Sequence, residues 1–155
     1  MQSTLDHLLE GKRIVICAGP GGVGKTTTAA ALAMGAARQG RKVAVVTIDP
    51  AKRLADALGL GELDNDPRRV EGDFGAGELW ALMLDVKRTF DGLIERVAPT
   101  EQAREEVLEN RIYQELSSAV AGTQEFTAIA RLYDLDAEGA YDLLVLDTPP
   151  SRNAL

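Results

Sequence analysis

Gly19-Pro20-Gly21-Gly22-Val23-Gly24-Lys25-Thr26 is the stretch on which the fold of this 155-residue chain turns. It fits G-x-x-x-x-G-K-[ST], a loop whose glycines let the backbone curl until its N–H groups point inward at phosphate oxygens. The chemistry needs a strand before the loop and a helix after it, because the positive end of the helix faces the same anion. Both flanks are legible. Arg13-Ile14-Val15-Ile16-Cys17-Ala18 is apolar and β-branched and reads as a buried strand. Thr26 to Gln39 is rich in alanine, with Leu32 and Met34, and Gly40 closes it at the C′ position of a helix. In such a loop Gly21, Gly22, Val23, Gly24, Lys25, Thr26 and Thr27 surround the phosphates. Lys25 reaches the β- and γ-phosphates, and the Thr26 hydroxyl ligates Mg²⁺.

Outward from the loop, Lys42 to Ile48 is a second buried strand that ends on Asp49-Pro50, and Ala51 to Leu58 is a short helix. Residues 61–77 read as a loop and Leu79 to Leu84 as a third strand. The period then changes. Val86, Phe90, Leu93, Ile94 and Val97 share one helical face. Thr100 is the expected N-cap of a helix carrying Val107, Leu108, Ile112, Leu116 and Val120. After Gly122, the residues Phe126, Ile129, Ala130 and Tyr133 continue the helical spacing. Tyr141 to Leu146 is a fourth buried strand, running into Asp147-Thr148-Pro149-Pro150.

Strands that are apolar throughout belong to parallel sheets covered by helices on both faces. The expected fold is α/β, a doubly wound and mostly parallel sheet of the P-loop NTPase type, with a helical insertion over 86–140. Asp49 and Asp147 both follow strands, so both sit at the carboxyl edge where such folds bind ligands. Asp147, at the end of an apolar strand, has the Walker B arrangement and holds Mg²⁺ through water. Asp49 followed by proline also suits a plain turn.

Composition excludes other classes. The chain is 45% hydrophobic and 26% charged, with one cysteine and a net charge of −7. A lone cysteine builds neither a disulfide framework nor a four-ligand zinc or iron–sulfur site. No apolar run approaches the ~18 residues that span a bilayer, and residues 1–10 lack the basic start of a secretory signal. Residues 1–60 carry eight basic and four acidic side chains, and residues 61–155 nine and twenty. That acidic majority argues against a nucleic-acid surface.

The runs AGPGGVGKTTTAAALA (18–33), TIDPAKRLADAL (47–58), AGTQEFTAIARL (121–132) and LLVLDTPPSRNAL (143–155) resemble the ArsA-like branch of the P-loop ATPases. That branch holds arsenite-pump ATPases and ATPases that target tail-anchored membrane proteins. The resemblance implies ATP as the nucleotide, since the loop residues specify phosphates and not a base. It implies that Asp49 positions the attacking water from the first switch, and that Asp147 to Pro150 form the second switch, which senses the γ-phosphate. It also implies a dimer that opens and closes around two nucleotides, with the helical excursion forming part of an effector surface. The protein is then expected in the cytoplasm, peripheral to a membrane only through a partner. Because the chain stops eight residues after Asp147, residues 1–155 are expected to be the N-terminal part of a longer ATPase domain.

One departure stands out. The family reads K-G-G-x-G-K-[ST], and its first lysine reaches across the dimer to the partner's phosphates, where it offsets charge in the transition state. Here that position is Pro20. The expectation is slow turnover by the chain alone and fuller turnover beside a lysine-bearing paralogue. Three other readings compete. A signal-recognition-type GTPase would place D-T-A-G-R where this chain has Asp147-Thr148-Pro149-Pro150. A partitioning or septum-positioning ATPase would show a basic stripe or tail, which is missing. A regulatory subunit that binds nucleotide without hydrolysing it rests on Pro20 alone. Cys17 reads as a small buried hydrophobe, His7 as a surface helix residue, Trp80 and Met83 as sheet core, and Arg152 as a weak candidate for phosphate or partner contact.

Overall fold

A computed structural model describes residues 4–49, 51–119 and 123–150, with side chains for all of these but 5, 6, 90, 93 and 116–126. Arg152, Val120 and Gly122 lie outside the described residues, as do the side chains of Phe90, Leu93, Leu116 and Phe126. Five strands form one sheet in the order β1-β5-β2-β4-β3. These are β1 (Ile14–Cys17), β2 (Lys42–Thr47), β3 (Arg68–Arg69), β4 (Glu78–Met83) and β5 (Leu143–Asp147). The three pairings β1–β5, β5–β2 and β2–β4 are parallel, and only β3 runs antiparallel, against β4. Helices α1 (Thr4–Leu9), α2 (Lys25–Arg38) and α3 (Arg53–Ala57) lie among the first strands. Between β4 and β5 come α4 (Val86–Val97), α5 (Glu101–Leu108), α6 (Arg111–Ala119) and α7 (Thr123–Glu138). The doubly wound α/β reading holds.

The two faces of the sheet carry separate cores. On one, the small face of α2, Ala29, Ala30, Ala33, Ala36 and Ala37, lies flat on Val43, Val45, Leu79 and Val145. Alanine lets the helix backbone approach closely, and a Cβ on Gly77 would collide with the carbonyl oxygen of Ala37. On the other face, Ala128, Leu132 and Leu135 of α7 cover Ala44, Val46, Leu82, Leu144 and Leu146. β2, β4 and β5 are thus buried on both sides, which is why their sequences do not alternate.

Among the described residues β1 pairs with β5 alone, and Ile16 is 54% exposed. Three expectations need correction. The face of α7 is rotated from the expected one: Ile129 and Tyr133 are exposed, and Ala128, Leu132 and Leu135 are buried. The helix expected from Thr100 onward is two helices. Thr100 does cap α5, its Oγ1 accepting from the Ala103 N–H at 3.1 Å, but the chain breaks at Glu109-Asn110. There the Asn110 side chain accepts from the Ile112 and Tyr113 N–H groups and starts α6 afresh. Finally, the 61–77 segment is more than a loop. It contains β3 and buries Leu63, Val70 and Phe74 against the α2 side of the sheet. Trp80 and Met83 are half-buried and pack on opposite faces.

Candidate functional site

Parallel register brings the chemistry to one edge. Cys17, Asp147 and Thr47 are paired across β1, β5 and β2, so the chain leaves all three strands side by side at their carboxyl ends. From β1 it enters the glycine-rich loop, from β2 it reaches Asp49, and β5 ends on Asp147 itself. The loop needs its glycines: Gly22 and Gly24 take φ of +77° and +87°, in the left-handed region that side chains resist. Gly21 lies against Pro150, 3.7 Å from the position a Cβ would take, so the loop touches the segment that follows β5. Gly24 caps α2 without a side-chain hydrogen bond, and no acid occupies the first turn. The first N–H groups of this 14-residue helix are left for an anion.

A cavity of about 420 Å³ opens at that helix end, lined by Gly22, Gly24, Lys25, Thr26, Thr27, Arg53 and Ala57. Of the expected phosphate-loop residues, Gly21 and Val23 are not on its wall. Within the loop, Lys25 Nζ donates to the Pro20 carbonyl oxygen at 2.8 Å. Its ammonium therefore sits folded over the loop, held by one exposed, neutral acceptor.

Asp147 is the buried acid of the site, 1% exposed. Its Oδ2 accepts from the Thr26 hydroxyl at 2.8 Å and from the Thr47 hydroxyl at 3.2 Å. Its Oδ1 is buried with no partner. Burial pushes the Asp147 carboxyl above its ordinary value and nearby Asp49 adds to this, against the two hydroxyl hydrogen bonds and the charge of Lys25. Cys17 is half-buried, not fully buried as expected, and burial, helped by Asp147, raises its thiol, which suits an inert side chain. Thr148 ties the segment after β5 to the end of β1, its hydroxyl donating to the Cys17 carbonyl oxygen at 2.8 Å.

Asp49 stands apart from the phosphate cavity. It borders a smaller one, about 200 Å³, with Thr47, Lys52, Leu54, Ala55, Glu62, Leu63 and Met83. Its Oδ1 accepts from the Ala51 N–H at 2.9 Å, and its Oδ2 from Arg53 Nη1 at 3.1 Å. Its own N–H donates to Thr47 Oγ1 at 3.1 Å. Sequence reasoning missed Thr47 and Arg53. Arg53 had a visible signal, the i,i+4 spacing from Asp49; Thr47, inside an apolar strand, had none. A larger cavity of about 1000 Å³ lies between α4 and α7, but its walls are paired charges such as Arg96–Asp134 and Arg131–Glu138.

Among the described residues no cluster of three His, Cys, Asp or Glu side chains is placed to hold a metal ion. The donors at the loop are instead one hydroxyl and one carboxylate. Hard oxygens of that kind, few in number, suit Mg²⁺, which draws its remaining ligands from water and substrate phosphates. The partnerless Asp147 Oδ1 beside Thr26 fits such an ion.

A family model described as anion-transporting ATPase matches residues 12–155. The chain is similar to ATPase ASNA1 homolog 2 of Paramecium tetraurelia, 32% identical over 158 residues, 100% of this chain and 46% of that protein. It is similar to ATPase GET3 of Podospora anserina, 29% identical over 100% of this chain and 45% of that protein. ATPase get3 of Schizosaccharomyces pombe is 29% identical over 100% of this chain and 46% of its own length. The chain spans about half the length of the curated relatives it matches.

Proposed function

The chain belongs to the ArsA-type anion-transporting ATPase family, and from that footing we propose that it binds ATP with Mg²⁺ and hydrolyses the terminal phosphoanhydride bond. The observation that carries the reading is the hydrogen bond from Thr26 to Asp147, with Asp147 Oδ1 buried and partnerless beside it. A hydroxyl at the start of α2 and a carboxylate at the end of β5, brought within 2.8 Å, are the two protein groups a nucleotide-bound Mg²⁺ requires. Thr26 would hold the ion directly and Asp147 through water. When bound, the ion offsets the charge of the β- and γ-phosphate oxygens.

The chain's own residues supply the rest. Gly22, Gly24, Lys25, Thr26 and Thr27 line the anion site and would offer it their N–H groups, and Lys25 leaves the Pro20 carbonyl for the phosphates, exchanging a neutral acceptor for an anionic one. Asp49, in the first switch, orients the attacking water once a carboxylate oxygen is released from its local hydrogen bonds. Asp147 to Pro150, touching the loop at Gly21, form the second switch. Residues 1–155 are the N-terminal part of the ATPase domain, with 86–140 as an effector-facing helical excursion. The unit is a homodimer or a heterodimer with a lysine-bearing paralogue, cycling between open and closed states for transport or membrane-protein targeting. No helix among the described residues is long and apolar enough to cross a membrane, which suits a cytoplasmic protein that meets membranes through a partner.

Phosphate release from ATP and GTP, with and without Mg²⁺, tests the reading. Mg²⁺-dependent release from ATP is expected, lost in Asp49→Asn with binding retained, and faster in Pro20→Lys or beside a lysine-bearing paralogue. Preference for GTP would return the signal-recognition alternative. Binding without hydrolysis under every condition would make the chain a regulatory subunit.

A further inference from the structure

Arg53 belongs to two environments at once. Its Nη1 donates to Asp49 Oδ2 at 3.1 Å, and its side chain also forms a wall of the phosphate cavity. Among the described residues on that wall only Lys25 and Arg53 are cationic. Lys52, one residue earlier, faces the other way and pairs with Glu62 at 2.7 Å. Pro20, where the family has its first lysine, offers the phosphates no charge. Helix α3 therefore presents one guanidinium toward a cavity that is otherwise short of positive charge.

We propose that Arg53 is the sensor of the terminal phosphate, leaving Asp49 for the γ-phosphate of a bound triphosphate and thereby freeing the Asp49 carboxylate. The inference rests on the nucleotide reading above and adds to it a residue and a coupling. The direction of exchange follows from charge and exposure. The Arg53 side chain is 63% exposed, and an exposed i,i+4 pair is held weakly. A terminal phosphate carries more charge than a carboxylate and offers a planar guanidinium two acceptors at once. Asp49, 15% exposed, keeps its Oδ1 hydrogen bond to Ala51 while Oδ2 is released. One movement then registers the γ-phosphate and makes available the carboxylate oxygen that a water needs. No covalent step is involved.

The test compares affinities of the purified protein for a non-hydrolysable ATP analogue and for ADP, both with Mg²⁺, by titration calorimetry. In Arg53→Ala the triphosphate affinity is expected to fall about ten- to hundredfold, the size of a lost charge-assisted contact, with ADP affinity unchanged. Arg53→Lys should recover part of the loss. Pro20→Lys placed in the Arg53→Ala background should recover part as well, by returning a cation to the loop. Equal triphosphate-to-diphosphate ratios in the parent and Arg53→Ala proteins would overturn the proposal and leave the nucleotide reading standing. So would faster hydrolysis by Arg53→Ala at unchanged affinity, because Arg53 would then only restrain Asp49. A parent protein that binds neither nucleotide would overturn both. Thermal melting of each variant reports folding, and the exposed position of Arg53 predicts no change.

Discussion

The carboxyl edge of the sheet and the helical excursion are made from the same kinds of residue and put to opposite uses. At the edge, strands buried on both faces hold Asp147 at 1% exposure, hydrogen-bonded to Thr26 and Thr47. In the excursion α5 has no buried residue, Ile112 is 67% exposed and Val97 65%, and the surface is tied by ion pairs such as Lys87–Asp91 and Arg111–Glu115. Its helices are organised around α4, against which α5, α6 and α7 all pack. Tyr113 of α6 donates to Asp91 of α4 at 3.0 Å, and burial together with that carboxylate pushes its hydroxyl up to about 12. Within the excursion α7 buries Ala128, Leu132 and Leu135 on the sheet, while Val97 and Ile112 stay exposed.

The largest expected effect that sharpens this contrast comes from equal truncations in the two regions. Leu82→Ala, at a fully buried position on the sheet, should cost about 2–5 kcal/mol of stability. Ile112→Ala should stay within about 0.5 kcal/mol. Denaturant midpoints decide it, and a comparable cost at Ile112 would mean that the excursion is packed rather than presented.

A smaller effect is expected at Asp147, and its sign depends on pH. Burial raises this carboxyl above its ordinary value of 3.8, so the folded protein holds the proton more tightly than the unfolded chain. Its contribution is fully present below the unfolded value and is lost as pH rises through the folded one. Asp147→Asn, which cannot ionise, should therefore melt higher than the parent near neutral pH. The gap should close as pH falls toward 3.8. Melting curves at several pH values check this, and a lower melting temperature at neutral pH would show that the carboxylate is stabilised by its hydroxyl partners after all.

Smallest of all is Arg111→Gln, which breaks a pair whose side chains are 90% and 69% exposed. The change should be at most about 0.5 kcal/mol and should vanish in high salt. A larger, salt-resistant loss in urea titrations would bring the excursion closer to the sheet in character.

What could be read beforehand follows the same division. The loop from Gly19 to Thr26 and the strands that end at Thr47 and Asp147 were legible, because positive-φ glycines and unbroken apolar runs each have one strong physical meaning. The strand order β1-β5-β2-β4-β3 was not, since order is a property of the whole sheet and not of any one strand. In α7 two helical stripes compete, and the smaller one, Ala128 with Leu132 and Leu135, is the buried one because it lets the helix sit closer. The break at Asn110 is a capping event inside a spacing that α5 and α6 happen to continue. Asp49 and Asp147 were found as strand-end acids. Thr47 and Arg53 join the candidate site only through the folded geometry, Thr47 by register with Asp147 and Arg53 by lying on the cavity at the start of α2.

A carboxyl edge built for phosphate should bind a magnesium triphosphate through the loop. Calorimetric titration of a non-hydrolysable ATP analogue into the protein and into Lys25→Ala, each with and without Mg²⁺, tests this most directly. The predicted result is Mg²⁺-dependent binding that weakens about ten- to hundredfold in Lys25→Ala, with little change in melting temperature, because the hydrogen bond from Lys25 runs to the exposed Pro20 carbonyl. Equal affinity in the two proteins, or binding indifferent to Mg²⁺, would contradict it.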